Sequence, residues 1–227
     1  MEIVIAEFET KVEEINEYFL FIEKTTHLRL NINEDMIQVS ETVHQVLKSN
    51  LFLLLYNLIE SSFRNALEKI CIDITTDRLI YKDVIPQIKQ LWVNREYKNF
   101  GDKCSIPRDT SKSEFLVTKI DSISHEIISI VFKNNLSGNV TPKVIKEEIS
   151  DYGLNTEEIL DETDHPIYII KDRRNNLAHG NESFSECGRS YTMARLKEIK
   201  DDSIDYMKFI LEHIKDFTEN KKYKLEE

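Results

Sequence analysis

The residue types that do chemistry concentrate in one segment, Pro166 to Thr192, PIYIIKDRRNNLAHGNESFSECGRSYT. Place Pro166 to His179 on a helix, and Ile167, Ile170 and Leu177 take offsets 0, 3 and 10 of one apolar stripe. The position at offset 7 is Arg174. A guanidinium where the pattern calls for an apolar side chain marks a candidate functional site. A partly buried arginine also needs an anionic partner. Asn175 and His179 stand one turn apart on the same face. The asparagine is therefore expected to hydrogen-bond the imidazole and fix its tautomer. His179 sits in the last turn, where the helix dipole favours the imidazolium, and Gly180 lets the chain turn away from it.

A permanent cation, an orienting amide and a titratable imidazole are the parts for cleaving an RNA phosphodiester without a metal or other cofactor. RNA carries its own nucleophile, the 2′-OH. A histidine can remove that proton or protonate the leaving 5′-oxygen. An arginine can stabilise the charge that develops on the phosphoryl oxygens. One histidine does not easily serve as both base and acid. A two-fold homodimer that brings two copies of the segment together would complete the set.

Local charge points the same way. His165 to Lys200 holds seven basic residues (Lys171, Arg173, Arg174, Arg189, Arg195, Lys197, Lys200) against four acids, a net +3. The whole chain carries −11, so the remainder carries −14. A basic strip on an acidic protein suits a polyanion bound at one place. Lys171, Arg173 and Arg189 are the candidate contacts to RNA phosphate, with Arg173 off the apolar stripe and solvated. Ser183, Ser185 and Thr192 read as helix caps.

Helices must position these groups. Ile5, Phe8, Val12, Ile15, Phe19 and Ile22 form one stripe on a first helix of about six turns. A second runs from about Glu41 to Thr75 and is apolar on nearly every side around Leu51 to Leu55, which places it centrally. Tyr56, Glu60 and Arg64 follow at i, i+4 and i+8. Asn57, Glu60 and Arg64 are the candidates to face the motif and support it. A third helix begins near Asp83. Asn99 to Ser113 reads as an exposed loop. Leu116, Ile120, Ile123, Ile127 and Ile130 then fall at offsets 0, 4, 7, 11 and 14 of another helix. Thr141 and Pro142 open a short helix that stops at Gly153. The last helix spans about Thr192 to Thr218, and the tail near 219–227 reads as frayed. The expected architecture is an all-α bundle of four main helices plus short inserted ones, one domain over 1–227.

Composition excludes other classes. At 41% hydrophobic residues the chain is not disordered, and five Gly with four Pro are too few for the turns of an all-β fold. Cys71, Cys104 and Cys187 form no CxxC pair, so neither a zinc ribbon nor a disulfide framework is indicated. His27, His44, His125, His165 and His213 form no i, i+4 pair and read as surface or boundary residues. Trp92, Tyr97 and Phe100 are either core or base-stacking residues. The longest apolar run, Leu51 to Tyr56, is far short of the ~18–20 residues that span a bilayer. A cytoplasmic protein without a membrane partner is expected.

At these residues the chain resembles a known family. RNNLAH, Arg174 to His179, is similar to the R-x(4–6)-H motif of the HEPN superfamily. RRNNLAHGNESFSECGRSYT resembles the RN-x-LAHG-x-x-SF-x-E-x-GR segment of the MAE-like branch of bacterial stand-alone HEPN nucleases. LLLYNLIESSFRNAL is similar to the long second helix of that branch. The resemblance covers about Lys48 to Leu211. It implies an α-helical HEPN fold and a metal-independent endoribonuclease, active as a homodimer, that leaves 2′,3′-cyclic phosphate and 5′-OH ends. By motif position it makes Arg174 and His179 catalytic and Asn175 supporting. It also implies a toxin or antiphage-defence effector with a possible cognate antitoxin or defence partner. HEPN toxins controlled by a partner nucleotidyltransferase carry a tyrosine two residues after the histidine; here that position is Asn181. The alternative reading is a catalytically silent HEPN module that binds RNA or a protein partner. A purely structural bundle is the third.

Overall fold

The central helix follows from its composition. Helix α2, Glu41–Thr76, is about 54 Å long at the α-helical rise. Leu51, Phe52, Leu55, Leu58, Ile59, Phe63, Ala66, Leu67, Ile70 and Ile74 are all buried along it, on more than one face. It therefore needs neighbours on several sides, and it packs against α1, Glu2–Thr25, α6, Pro166–Ala178, α7, Phe184–Arg189, and α8, Met193–Glu219. Each fully buried Leu, Ile or Phe contributes roughly 1.5–3 kcal/mol of hydrophobic stabilisation before chain entropy is subtracted. The structure, a computed structural model, describes residues 1–25, 29–32, 35–100, 111–132, 136, 138–162 and 164–225. The central part of the loop expected at 99–113, with Cys104 and His27, lies outside the described residues, as do the side chains of Tyr97 and Phe100.

The fold is all-α and consistent with a HEPN helical bundle. The stripe of α1 buries Phe8, Ile15, Phe19 and Ile22, with Ile5 and Val12 half-buried, against α2 and α8. In α8 the row Met207, Ile210, Ile214, Phe217 is buried as its spacing requires. The shorter helices α3, Pro86–Phe100, α4, Lys112–Ser124, and α5, Pro142–Asp151, lie between α2 and α6 in the chain. Thr141 caps α5, its hydroxyl accepting from Val144 N–H at 3.2 Å, with Pro142 in the first turn. Trp92 is buried against Tyr81, so its ring belongs to the core and not to a base-stacking surface.

Four features differ from expectation. A two-stranded antiparallel hairpin, β1, Arg29–Ile32, and β2, Asp35–Gln38, pairs Leu30 with Ile37 between α1 and α2. Helix α4 ends at Ser124, before the Ile127 and Ile130 of its expected stripe. Those residues run extended instead. Ile80 bridges Ile127, Ile128 N–H donates to the Leu79 carbonyl and Ile130 N–H to the Thr75 hydroxyl. Helix α7 is an element the sequence reading does not assign; Ser183 caps it, and Thr192 caps α8.

The tail is the fourth difference. Residues 220–225 are anchored to the fold, not frayed. Tyr223 is 1% exposed, edge-on to Phe217, and its hydroxyl donates to Asp77. Lys221 and Lys224 pair with the same carboxylate at 2.8 and 3.1 Å. The anchor is distant in sequence, so local composition does not reveal it. Lys221, then Lys224 and Tyr223, hold the Asp77 carboxyl at about 2, below its ordinary 3.8. The stabilisation is complete above pH 3.8 and is lost as pH falls toward 2. Both lysines are partly in solvent, so the discounted contribution is about 1 kcal/mol. Asp77→Asn should lower the melting temperature at neutral pH and flatten its acid dependence; unchanged melting curves would contradict this.

Candidate functional site

Helix α6 carries the motif, and both of its ends are specified. At the start, His165 Nδ1 accepts from Ile167 N–H at 3.3 Å, and its ring lies edge-on to Tyr206 at 4.4 Å. Pro166 occupies the first turn, where its missing N–H costs nothing. Burial holds the His165 imidazole below its ordinary 6.5, with Asp202 and Asp164 opposing the shift. The unfolded chain then takes up the proton more readily than the fold. Stability is full above about pH 6.5 and declines as pH falls below it. A pH series of melting temperatures should show this decline in the wild type. His165→Asn, a cap that does not titrate, should show less of it.

At the other end, His179 is the C-cap and Gly180 adopts φ 70°. Gly180 N–H donates to the Leu177 carbonyl and Asn181 N–H to the Asn176 carbonyl, the two bonds of a Schellman turn. Ser183 and Glu186 then form a reciprocal capping box that starts α7. Gly188 seats α7 on α2, because a Cβ there would stand 1.9 Å from the Gln45 carbonyl oxygen. The loop bearing His179 is thus pinned on both sides.

The adjacent arginines take different environments. Arg173 is ion-paired to Asp172 at 2.7 Å and to Glu182 at 2.9 Å. Beside it lie Tyr191, packed on Phe52, and the buried Cys187, whose thiol burial pushes up to about 12. Arg173 is therefore not a solvated phosphate contact; its charge is already matched, and it ties α6 to the residue that follows the turn. Arg174 is half-buried and turned to α2. Its guanidinium carbon sits 4.7 Å from the centre of the Tyr56 ring. Its Nη1 donates to Asn175 Oδ1 at 2.9 Å. Among the described residues no carboxylate lies within 4.0 Å of it.

The wall of this slot is the segment from Gly138 to Val140. Val140 N–H donates to the Tyr56 hydroxyl at 3.1 Å, and Gly138 N–H donates to Glu60 Oε1 at 3.3 Å. A Cβ on Gly138 would lie 3.4 Å from Arg174 Nη1. Glu60 is thus tied to the segment beside Arg174. Arg64 is half-buried one turn further along the same row. Asn57 is exposed and lines a groove against α1 with Lys11, Glu14 and Tyr18, away from the motif. Asn175 also departs from its expected role, since its side-chain oxygen serves Arg174 and not the imidazole. His179 is exposed.

Four of the seven cations of the basic strip are ion-paired. Arg195 pairs with Glu198, and Lys197 and Lys200 both pair with Asp201. Lys200 is buried, with a bond to Asn16 on α1 at 2.7 Å. Of the seven cations, Lys171, Arg174 and Arg189 have no acidic partner within ion-pairing distance among the described residues. Tyr56 and Gly138 were not identified from sequence. The available signals were the i, i+4 relation of Tyr56 to Glu60 and the glycine in an otherwise polar break.

The other described histidines bond to backbone carbonyls. His44 pairs with the Ile22 carbonyl, His125 with that of Asp121 and His213 with that of Asn155. Among the described residues no cluster of His, Cys, Asp or Glu is placed to hold a metal ion, and no helix is long and apolar enough to cross a membrane.

Arg174 within α6 and His179 at its C-cap stand in the order of the HEPN motif, on an all-α bundle. The model of the MAE_28990-like HEPN family matches residues 2–223, and the chain belongs to that family. No curated protein and no solved structure matches it.

Proposed function

We propose that the protein is a metal-independent endoribonuclease that cleaves RNA by attack of the 2′-OH, leaving 2′,3′-cyclic phosphate and 5′-OH ends. The observation that carries this reading is the state of Arg174. It is a half-buried guanidinium held by a ring face and an amide oxygen, with no carboxylate in reach among the described residues. A cation so placed is pre-organised for an anion it does not yet have. His179, exposed at the end of the same helix, supplies the proton transfer. Lys171 and Arg189 remain free to contact flanking phosphates.

On an ideal helix, positions five apart differ by about 140° in direction. Arg174 turns to α2 while His179 faces out, so one chain offers one histidine. A homodimer with its two motifs in a shared cleft supplies an acid and a base, and RNA is the partner of that cleft. Single-stranded or looped RNA fits best, because its backbone can be splayed for in-line attack. A cytoplasmic toxin or antiphage effector, held in check by a cognate partner, is the biological setting this activity suits. The test is incubation with an RNA and with its all-2′-deoxy counterpart. Cleavage of the RNA alone, with cyclic-phosphate ends, is expected; cleavage of both would rule out attack by the 2′-OH.

One observation favours a second reading, a silent module that binds RNA or a protein. Asn175 is committed to Arg174, so within one chain it does not orient the imidazole. Binding of RNA without strand scission would support that reading.

A further inference from the structure

We infer that Tyr56 is a positioning residue for Arg174: its ring is the floor over which the guanidinium sits, and its hydroxyl anchors the wall of the slot. The inference rests on the reading of Arg174 as the charge-stabilising group. Tyr56 is 2% exposed in the middle of α2 and does not move independently of the core. The guanidinium carbon is 4.7 Å from its ring centre, within the range of a cation–π contact. Burial raises the phenol above its ordinary value, so the ring stays neutral and keeps its hydroxyl proton. That hydroxyl accepts Val140 N–H at 3.1 Å. Two residues earlier, Gly138 has φ 71° and lies where an added Cβ would stand 3.4 Å from Arg174 Nη1, and Glu60 holds its N–H. One side chain thus sets both floor and wall.

A ring face suits this task better than a carboxylate would. A carboxylate would match the arginine charge and compete with phosphate, as Asp172 and Glu182 do at Arg173. The ring holds the guanidinium in place and leaves its N–H edge for an anion. The contact supplies orientation, and orientation is felt in the chemical step more than in substrate binding.

The test compares Tyr56→Phe with Tyr56→Leu. Phenylalanine keeps the face and loses the hydroxyl's interactions with Val140 N–H and Glu60; leucine fills the space without a face. Tyr56→Leu should lower kcat by roughly ten- to thirtyfold, with KM within about twofold. Tyr56→Phe should stay within about threefold of wild type. A second measurement does not depend on cleavage. In nitrogen-15 NMR spectra the Arg174 Nε–H signal, assigned by its loss in Arg174→Lys, should be ring-current shifted in wild type and Tyr56→Phe and unshifted in Tyr56→Leu. An unchanged signal in a folded Tyr56→Leu protein would overturn the inference, as would kcat unchanged in that variant. If the wild type cleaves no RNA, the ribonuclease reading falls, and the NMR comparison still decides whether Tyr56 positions Arg174.

Discussion

Arg174→Ala and His179→Ala are each expected to remove RNA cleavage while leaving the helical fold in place. Loss of one donor to a developing oxyanion costs roughly 10²–10³ in rate, and loss of a general acid or base roughly 10²–10⁴. Both groups act on one transition state, so the double variant should be little worse than either single one. His179 is exposed and holds the turn through its backbone, so its truncation should cost little stability. The informative contrast is Arg173→Ala, one residue away. That change leaves Asp172 and Glu182 without their partner, and Glu182 is 18% exposed. It should lower the melting temperature and retain most of the cleavage. Adjacent arginines would then separate chemistry from scaffolding. Equal loss of activity in both arginine variants, with stability unchanged, would contradict the assignment. Rates and thermal melts on the same preparations provide the check.

Gly188→Ala is expected to be the most destabilising small substitution near the site. The added Cβ would stand 1.9 Å from the Gln45 carbonyl oxygen and 2.6 Å from its carbon. Both are backbone atoms of the central helix, so no side chain can swing aside. Helix α7 would have to lift off α2. Overpacking usually costs about 1–3 kcal/mol, and a clash between two backbones belongs at or above that limit. For a chain of this size the melting temperature should fall by roughly 10 °C. Activity should fall with it, because α7 begins four residues after Gly180 and pins the His179 turn. Gly180→Ala is the control. Nothing lies within 4 Å of a Cβ there, so only its φ of 70° is strained, at about 1–2 kcal/mol. If Gly188→Ala melts like wild type, α7 does not sit on α2 as described.

What could be read in the sequence was what has a period. The stripes of α1 and α8 and the all-round apolar run of α2 each buried as their spacing required. The Thr141–Pro142 start and the Gly180 stop were local signals, and both appear as local hydrogen bonds. Period also misled. Ile127 and Ile130 continue the α4 spacing, yet the chain there pairs with residues 79 and 80 of a distant connection. Helix α7 is six residues long, too short for a period, and it contains a glycine that reads as a breaker. Its Ser183–Glu186 capping box was the visible sign. The pairing of Tyr223 with Asp77 spans most of the chain and has no local trace.

The site divides in the same way. Arg174 was conspicuous because it broke an apolar stripe, and the slot it enters explains the break: the stripe continues, with a ring face as the arginine's apolar neighbour. The partner of Asn175 was misassigned because i, i+4 geometry favoured His179, while the adjacent guanidinium was closer to hand. The basic strip was overcounted because formal charge was summed without pairing, although Arg195, Lys197 and Lys200 pair within about one turn of α8. Asp201 lies one residue beyond the counted window and pairs with two of its lysines.

The most direct test of the central claim is a cleavage assay in excess EDTA. Purified wild type and His179→Ala would be incubated with a labelled, structured RNA such as tRNA, and the product ends analysed. Cleavage by the wild type alone, with 2′,3′-cyclic phosphate ends, is the result this account requires. Equal cleavage by both proteins, or wild-type products with 3′-OH ends, would contradict it.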